Sequence, residues 1–117
     1  MVITSTKLIG YVAVDSGQVI ISDPGSLGGW GKEGFGEASA GHFSYGGACE
    51  TTLGEGHAGQ LNYESGRPGV AVVSSTGYGD GFYPVYAHYE ETEDWGKRIA
   101  RLEIVFIEDE DEDGEDD

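Results

Sequence analysis

A single cysteine, Cys49, stands in a chain of 117 residues, so no disulfide can close within one chain, and no zinc site built on four, three or two cysteines with histidines can be assembled from it. Such poverty in thiols suits a reducing interior, and suits equally an exported protein that does without them. Basic side chains are nearly as scarce: Lys7, Lys32, Arg67, Lys97, Arg98 and Arg101 stand against 22 carboxylates, for a formal charge of −16. A surface that tracks nucleic-acid phosphates needs a concentrated basic patch, which argues against direct nucleic-acid binding. Long apolar runs are missing too. No stretch approaches the ~20 residues of a spanning helix. The start, MVITSTKLIGYVAV, lacks the basic opening, unbroken apolar centre and small-residue cleavage site of a secretory signal. The expectation is a soluble protein that is not exported by the general secretory route and has no membrane partner.

The familiar catalytic signatures are absent as well: there is no G-x-S-x-G, no H-E-x-x-H and no phosphate-binding G-x-x-x-x-G-K-[ST]. Cys49 with His42 or His57 would make a nucleophile and base, but nothing in the local sequence activates the thiol, and a lone cysteine in a small β domain reads as a buried small hydrophobe. No catalytic residue is assigned.

What the chain has in excess is negative charge. The last ten residues, EDEDEDGEDD, carry nine carboxylates and no base, and residues 1–107 hold 13 acids to 6 bases. Residues 108–117 are expected to be a disordered, solvated tail, since adjacent like charges repel and none can be buried. The tail reads either as a solubilising terminus, as a lure for a basic partner, as a mimic of nucleic-acid phosphate or as an adaptation to high salt. The acid excess of the body also fits a salt-loving source, because at molar salt the Debye length shrinks to ~3 Å and acidic repulsion is screened.

The hydrophobic period is two. In IARLEIVFI, Ala100, Leu102, Ile104 and Phe106 share a face opposite Arg101 and Glu103, the mark of a half-buried strand. FYPVYAHYE sets Tyr83, Val85, Ala87 and Tyr89 against Phe82, Tyr86 and His88; both faces are partly apolar, which predicts a central or curved strand whose beginning, at Pro84, lies at an edge or a bulge. LIGYVAV and VIIS around DSGQ predict a hairpin of residues 8–14 and 18–22, with Gly17 at positive φ. GVAVVSS predicts a firm strand joined to FYPVYAHYE by a hairpin end, STGYGDG. HFSYGGACETTL reads as one bulged strand or two, GQLNYE as a short one, with GEGHAG and ESGRPG as turns. Pro24–Gly41 is glycine-rich and without period, a loop long enough to be functional. The sum is a single all-β domain over residues 1–107, an antiparallel sandwich or small barrel of six to eight strands with no helix.

Within that frame GYGDGFYPVY (residues 77–86) looks most like a site. Asp80 sits among glycines and aromatics, while Asp15 and Asp23 lie at the two ends of the second strand. Were Asp23 and Asp80 to share one end of the sheet, they would line a mouth with Ser22, Ser26 and several tyrosines. Calcium takes six to eight oxygen ligands, which such a mouth does not supply, so neither metal nor cofactor is expected. Asp80 has a plainer reading as an Asx turn within a hairpin end. Among the aromatics, Trp30 and Tyr78 are flanked by glycines and expected to be exposed, whereas Tyr83 and Tyr86 read as core fillers. The candidate ligand-binding set is Asp23, Trp30, Tyr78, Asp80 and Tyr83.

GYVAVDSGQVIISDP, FSYGGACETTL and GVAVVSSTGYGDGFYPVYAHYE with GKRIARLEIVFI, together spanning roughly residues 8–107, resemble an uncharacterised family of small β-rich proteins of bacteriophages and their hosts. The GDG-x-YPVY stretch is similar to the C-terminal signature of a wider bacterial family of unknown function. Where related sequences often have Asp-Pro-Cys, this chain has Asp23-Pro24-Gly25, which argues against an essential thiol there. The resemblance implies an all-β phage or phage-derived protein, located in the host cytoplasm or in a virion, and carries no activity.

Three functions follow. One is a non-catalytic binding or inhibitory accessory of viral or mobile-element origin, its acidic surface steering it to a basic protein partner. Another is a self-associating capsid- or tail-associated virion component. The third is a small-molecule binder or weak hydrolase at the Asp23/Asp80 loop end.

Overall fold

The computed structural model describes residues 2–62 and 69–108. Residues 109–117 of the acidic tail, Tyr63 and most of the ESGRPG turn lie outside the described residues. Among those described, six strands run in chain order as β1 (Ser5–Val14), β2 (Gln18–Ser22), β3 (Ala58–Leu61), β4 (Ala71–Ser75), β5 (Gly81–Thr92) and β6 (Gly96–Ile104), with one α-helix, α1 (Tyr45–Leu53). They form two three-stranded antiparallel sheets, ordered β1-β5-β6 and β2-β4-β3. The chain is all-β, as its alternation predicts, and neither sheet closes into a barrel. Close contacts partition it into two compact units, Met1–Asp15 with Asp80–Asp117, and Ser16–Gly79.

In the first unit β5 is the central strand. Tyr83, Val85 and Ala87 are buried on one face, and the ring of Tyr83 meets Phe106 edge-on at 5.5 Å between centroids. Of the edge or bulge expected at Pro84, the edge does not form, but the β1–β5 register shifts between Leu8 and Gly10, opposite Tyr86 and Val85 and next to Pro84. Its carbonyl accepts from the amide of Val105 (3.2 Å), so the backbone polar atoms of residue 84 point towards the β6 side, one residue beyond the last ladder pair, Val85↔Ile104. The missing N–H therefore costs at most one bond at the end of the ladder, where a proline is tolerated even in a central strand. β6 is an edge strand, more exposed than its alternation implies: Ile99 and Leu102 lie open, and only Ala100 and Ile104 are half-buried. Thr92 closes the β5–β6 hairpin by accepting from the amide of Trp95 and donating to the carbonyl of Gly96.

Neither of the two hairpins expected from turn composition forms. β1 and β2 flank DSGQ, and β4 and β5 flank STGYGDG, yet in each case the two strands belong to different sheets. Gly17 does adopt positive φ (73°), but its carbonyl accepts from the amide of Thr76 (3.1 Å). The fully buried Thr76 in turn donates to the carbonyl of Gly79 (2.5 Å). Glycine-rich segments permit a change of direction; which edge the chain then joins is decided by the strands' apolar faces.

The second unit has a core of Phe43, Ala48, Leu61, Ala71 and Val73, with Ile20 and Trp30 packed against it. HFSYGGACETTL is not a strand: residues 45–53 form α1, packed on β3 and β4. Ser44 is its N-cap, accepting from the amide of Gly47 at 3.0 Å, which satisfies one of the orphan donors of the first turn. The side that packs is Gly46, Gly47 and Ala48, residues too small to leave an apolar stripe in the sequence. The expected loop 24–41 is partly regular. It contains a 3-10 turn, Pro24–Gly29, and Gly31 bridges to the helix start through Gly31 N to Phe43 O and Tyr45 N to Gly31 O, both 3.1 Å.

Candidate functional site

Asp23, Trp30 and Tyr78 belong to the second unit, Asp80 and Tyr83 to the first. Asp23 caps the 3-10 turn, its Oδ1 accepting from the amide of Gly25 (3.2 Å) and its carbonyl from that of Ser26 (2.9 Å). Trp30, expected to be exposed, is half-buried; its ring stands edge-on to Phe43 at 5.1 Å, and it closes the core. Tyr78 is exposed as expected, at 84 %. The β2–β4 ladder pairs Ser22 with Ala71 at one end and Gln18 with Ser75 at the other, so Asp23 and Tyr78 lie beyond opposite ends of one ladder. Asp23 with Ser22 and Ser26 thus lies at one end of this ladder and Tyr78 at the other. Tyr83 is buried and packs against Phe106, where its reading as a core filler puts it. Beside Asp23 a concavity of about 380 Å³ is lined by Ser26, Gly29, His42, Phe43 and Asn62 among others.

The arrangement that does assemble is on the first unit. The β1–β5 register places Ala13 beside Phe82, Tyr11 beside Pro84 and Leu8 beside Tyr86, followed by Thr6 beside His88. On the far side, Glu103 of β6 faces Tyr86 and Arg101 faces His88. The face opposite the buried Tyr83, Val85 and Ala87 thus has three apolar rows and then a polar row. Phe82 is 75 % exposed, Tyr11 63 % and Leu8 42 %. The ladder ends at Val14↔Gly81, so Asp15 and Asp80, both exposed, stand at the apolar end of this face. There a shallow depression of about 350 Å³ is lined by Ala13, Val14, Asp15, Gly81 and Phe82.

At the other end of the face His88 is held by Thr6 and Glu103. The pairing of His88 with Glu103 is the only salt bridge among the described residues. Two of the scarce cations sit over aromatic rings instead: Lys97 lies 4.9 Å from the Tyr89 ring and Arg98 5.3 Å from that of Trp95. Among the described residues no lysine or arginine forms a salt bridge with a carboxylate, although the β5–β6 register sets Arg98 opposite Glu90 and Lys97 opposite Glu91. Cys49 accepts a long hydrogen bond from Gln18 (3.4 Å), while His42 is bonded to Ser44 and His57 to the carbonyl of Thr52, so no thiol–imidazole pair forms. Among the described residues no three His, Cys, Asp or Glu side chains gather to hold a metal ion, and no helix is long and apolar enough to cross a membrane.

The exposed face was partly visible in the sequence, since the parity of FYPVYAHYE separates Phe82, Tyr86 and His88 from Tyr83, Val85 and Ala87. The contribution of Leu8 and Tyr11 was not, because it depends on β1 pairing with β5. Compared with known proteins, the chain matches no family model, no curated protein and no solved structure.

Proposed function

We propose that the protein is a non-catalytic binding protein that engages a basic protein partner through its acidic surface. The observation that carries this reading is the excess of acid over base, 22 carboxylates to six lysines and arginines, with the salt bridge of the described residues made by a histidine. Uncompensated charge of one sign raises the encounter rate with an oppositely charged partner and makes it fall with ionic strength. The resemblance to phage-associated β proteins supports an accessory role in a virus or mobile element, inhibitory towards a host component and exercised in the host cytoplasm. A second reading, a small polar ligand, is favoured by the concavity beside Asp23, with Ser26, His42 and Asn62 on its wall.

Native mass spectrometry of the protein purified gently from its natural source, in low and in high salt, tests these readings. A stoichiometric complex with a basic protein that dissociates in high salt is the expected result. A closed homo-oligomer stable in both conditions would replace it with the virion-component reading. A monomer carrying a reproducible small extra mass would replace it with the ligand pocket.

A further inference from the structure

We propose that the exposed β1–β5 face is the docking surface for that partner, and that its occupant is a segment of a basic protein presenting apolar side chains beside lysine or arginine. This rests on the reading of the protein as a binder of basic partners and names where binding occurs.

Leu8, Tyr11 and Phe82 are all more than two-fifths exposed on one sheet face, with Ala13, Pro84 and Tyr86 completing three consecutive cross-strand rows. Single exposed apolar residues are ordinary, but a contiguous set rimmed by polar groups marks a contact site. Aromatic side chains supply contact area at little conformational entropy. The rim is asymmetric in charge. Asp15 and Asp80 end the face beside Phe82, where the shallow depression lies, and the opposite end is the hydrogen-bonded Thr6–His88–Glu103 bridge. An apolar side chain resting in the depression would bring a neighbouring cation to the two carboxylates.

Charge and area both oppose a second copy as the occupant. Two chains of formal charge −16 repel on approach. A patch on the order of a few hundred Å² falls short of the ~800 Å² per partner of a stable protein–protein interface. It suffices for an extended or helical segment, whose apolar anchors and flanking charges read such a surface.

The test uses the full chain and two short synthetic peptides, one alternating lysine with leucine and one alternating glutamate with leucine, followed by NMR and by titration at low and moderate salt. The lysine–leucine peptide is expected to bind, to shift the resonances of Leu8, Tyr11 and Phe82, and to lose at least about tenfold in affinity in the double variant Tyr11→Ser, Phe82→Ser. Phe35→Ser, an exposed aromatic of the other unit, should leave the affinity unchanged. Mapping on the unaltered chain keeps the test decisive should the double variant fold poorly. Binding of the lysine–leucine peptide that maps elsewhere overturns the docking face while leaving the acidic-binder reading intact. Equal or tighter binding of the glutamate–leucine peptide, or no binding of either, overturns both. A concentration-dependent dimer with these same shifts assigns the face to a second copy and overturns the proposal.

Discussion

The imidazole of His88 ties three strands together: Nδ1 lies 2.8 Å from Oγ1 of Thr6 on β1, and Nε2 lies 2.8 Å from Oε1 of Glu103 on β6. Thr6 and His88 follow the Leu8–Tyr86 row along the β1–β5 face, and Glu103 reaches His88 diagonally from its place opposite Tyr86. With Glu103 half-exposed, the charge contribution is weak and the hydrogen-bond geometry dominates. His88→Ala is expected to destabilise the protein by about 1 kcal/mol, the net worth of such a bond. Glu103→Gln keeps an acceptor and should lose under ~0.5 kcal/mol. Urea denaturation of the two variants measures both, and equal losses would show that the ion pair, not the bridge, carries the energy.

Gly47 is the second test. Its amide is the donor that Ser44 Oγ caps, and a Cβ added there would run into the carbonyl oxygen and Cβ of His42. Those are backbone-anchored atoms with little room to yield. Gly47→Ala should therefore destabilise by about 1–3 kcal/mol despite alanine's better helix propensity, since overpacking outweighs propensity. Ser44→Ala should lose about 1 kcal/mol by uncapping the same turn. A thermal melt in which Gly47→Ala is as stable as the parent would remove close packing as the reason for that glycine.

The same residues explain what was legible in the sequence and what was not. β5 and β6 could be read because an alternating strand shows its buried side every second residue, and Tyr83, Val85 and Ala87 are where parity puts them. α1 could not, because its packed side is made of two glycines and an alanine, and Thr51 and Thr52 tilt local propensity towards strand. Strand pairing was legible least of all. GYGDG looks like a hairpin end by composition, yet the buried Thr76 fixes the chain just before it within one unit, and β5 begins the other sheet. For the site, turn composition drew attention to Asp23 and Tyr78, which the β2–β4 register sets at opposite ends. The face that does assemble needed the β1–β5 pairing, a long-range fact.

Removing residues 108–117 takes away nine of the sixteen net negative charges and leaves −7. Nine adjacent carboxylates repel one another and bring no apolar side chain to a core, so the stability of the two sheets should change by less than ~0.5 kcal/mol. Association with a lysine-rich probe should slow markedly at low ionic strength, and the difference from the full chain should vanish as salt approaches about 1 M, where screening is complete within ~3 Å. Stopped-flow association across a salt series reads this out. A truncation that slows association equally at every salt concentration would mean that the segment makes specific contacts rather than supplying charge.

Pro84 gives the sharpest test of the sheet's architecture. A proline inside a central strand ordinarily removes a ladder hydrogen bond, and relieving it should then stabilise the protein. Here the carbonyl of Pro84 accepts from Val105, just past the last β5–β6 pair, so the missing N–H falls at the very end of the ladder. Replacing Pro84 by alanine adds at most one terminal hydrogen bond, where the strands part, and gives the unfolded chain more freedom to lose. The expected outcome is a loss of about 0.4–1 kcal/mol, seen as a lower denaturation midpoint with unchanged slope. A gain in stability would mean that β6 reaches further along β5 and that the proline interrupts a ladder the alanine restores. No change would mean that the unfolded-state entropy is offset by a solvent hydrogen bond at the new amide.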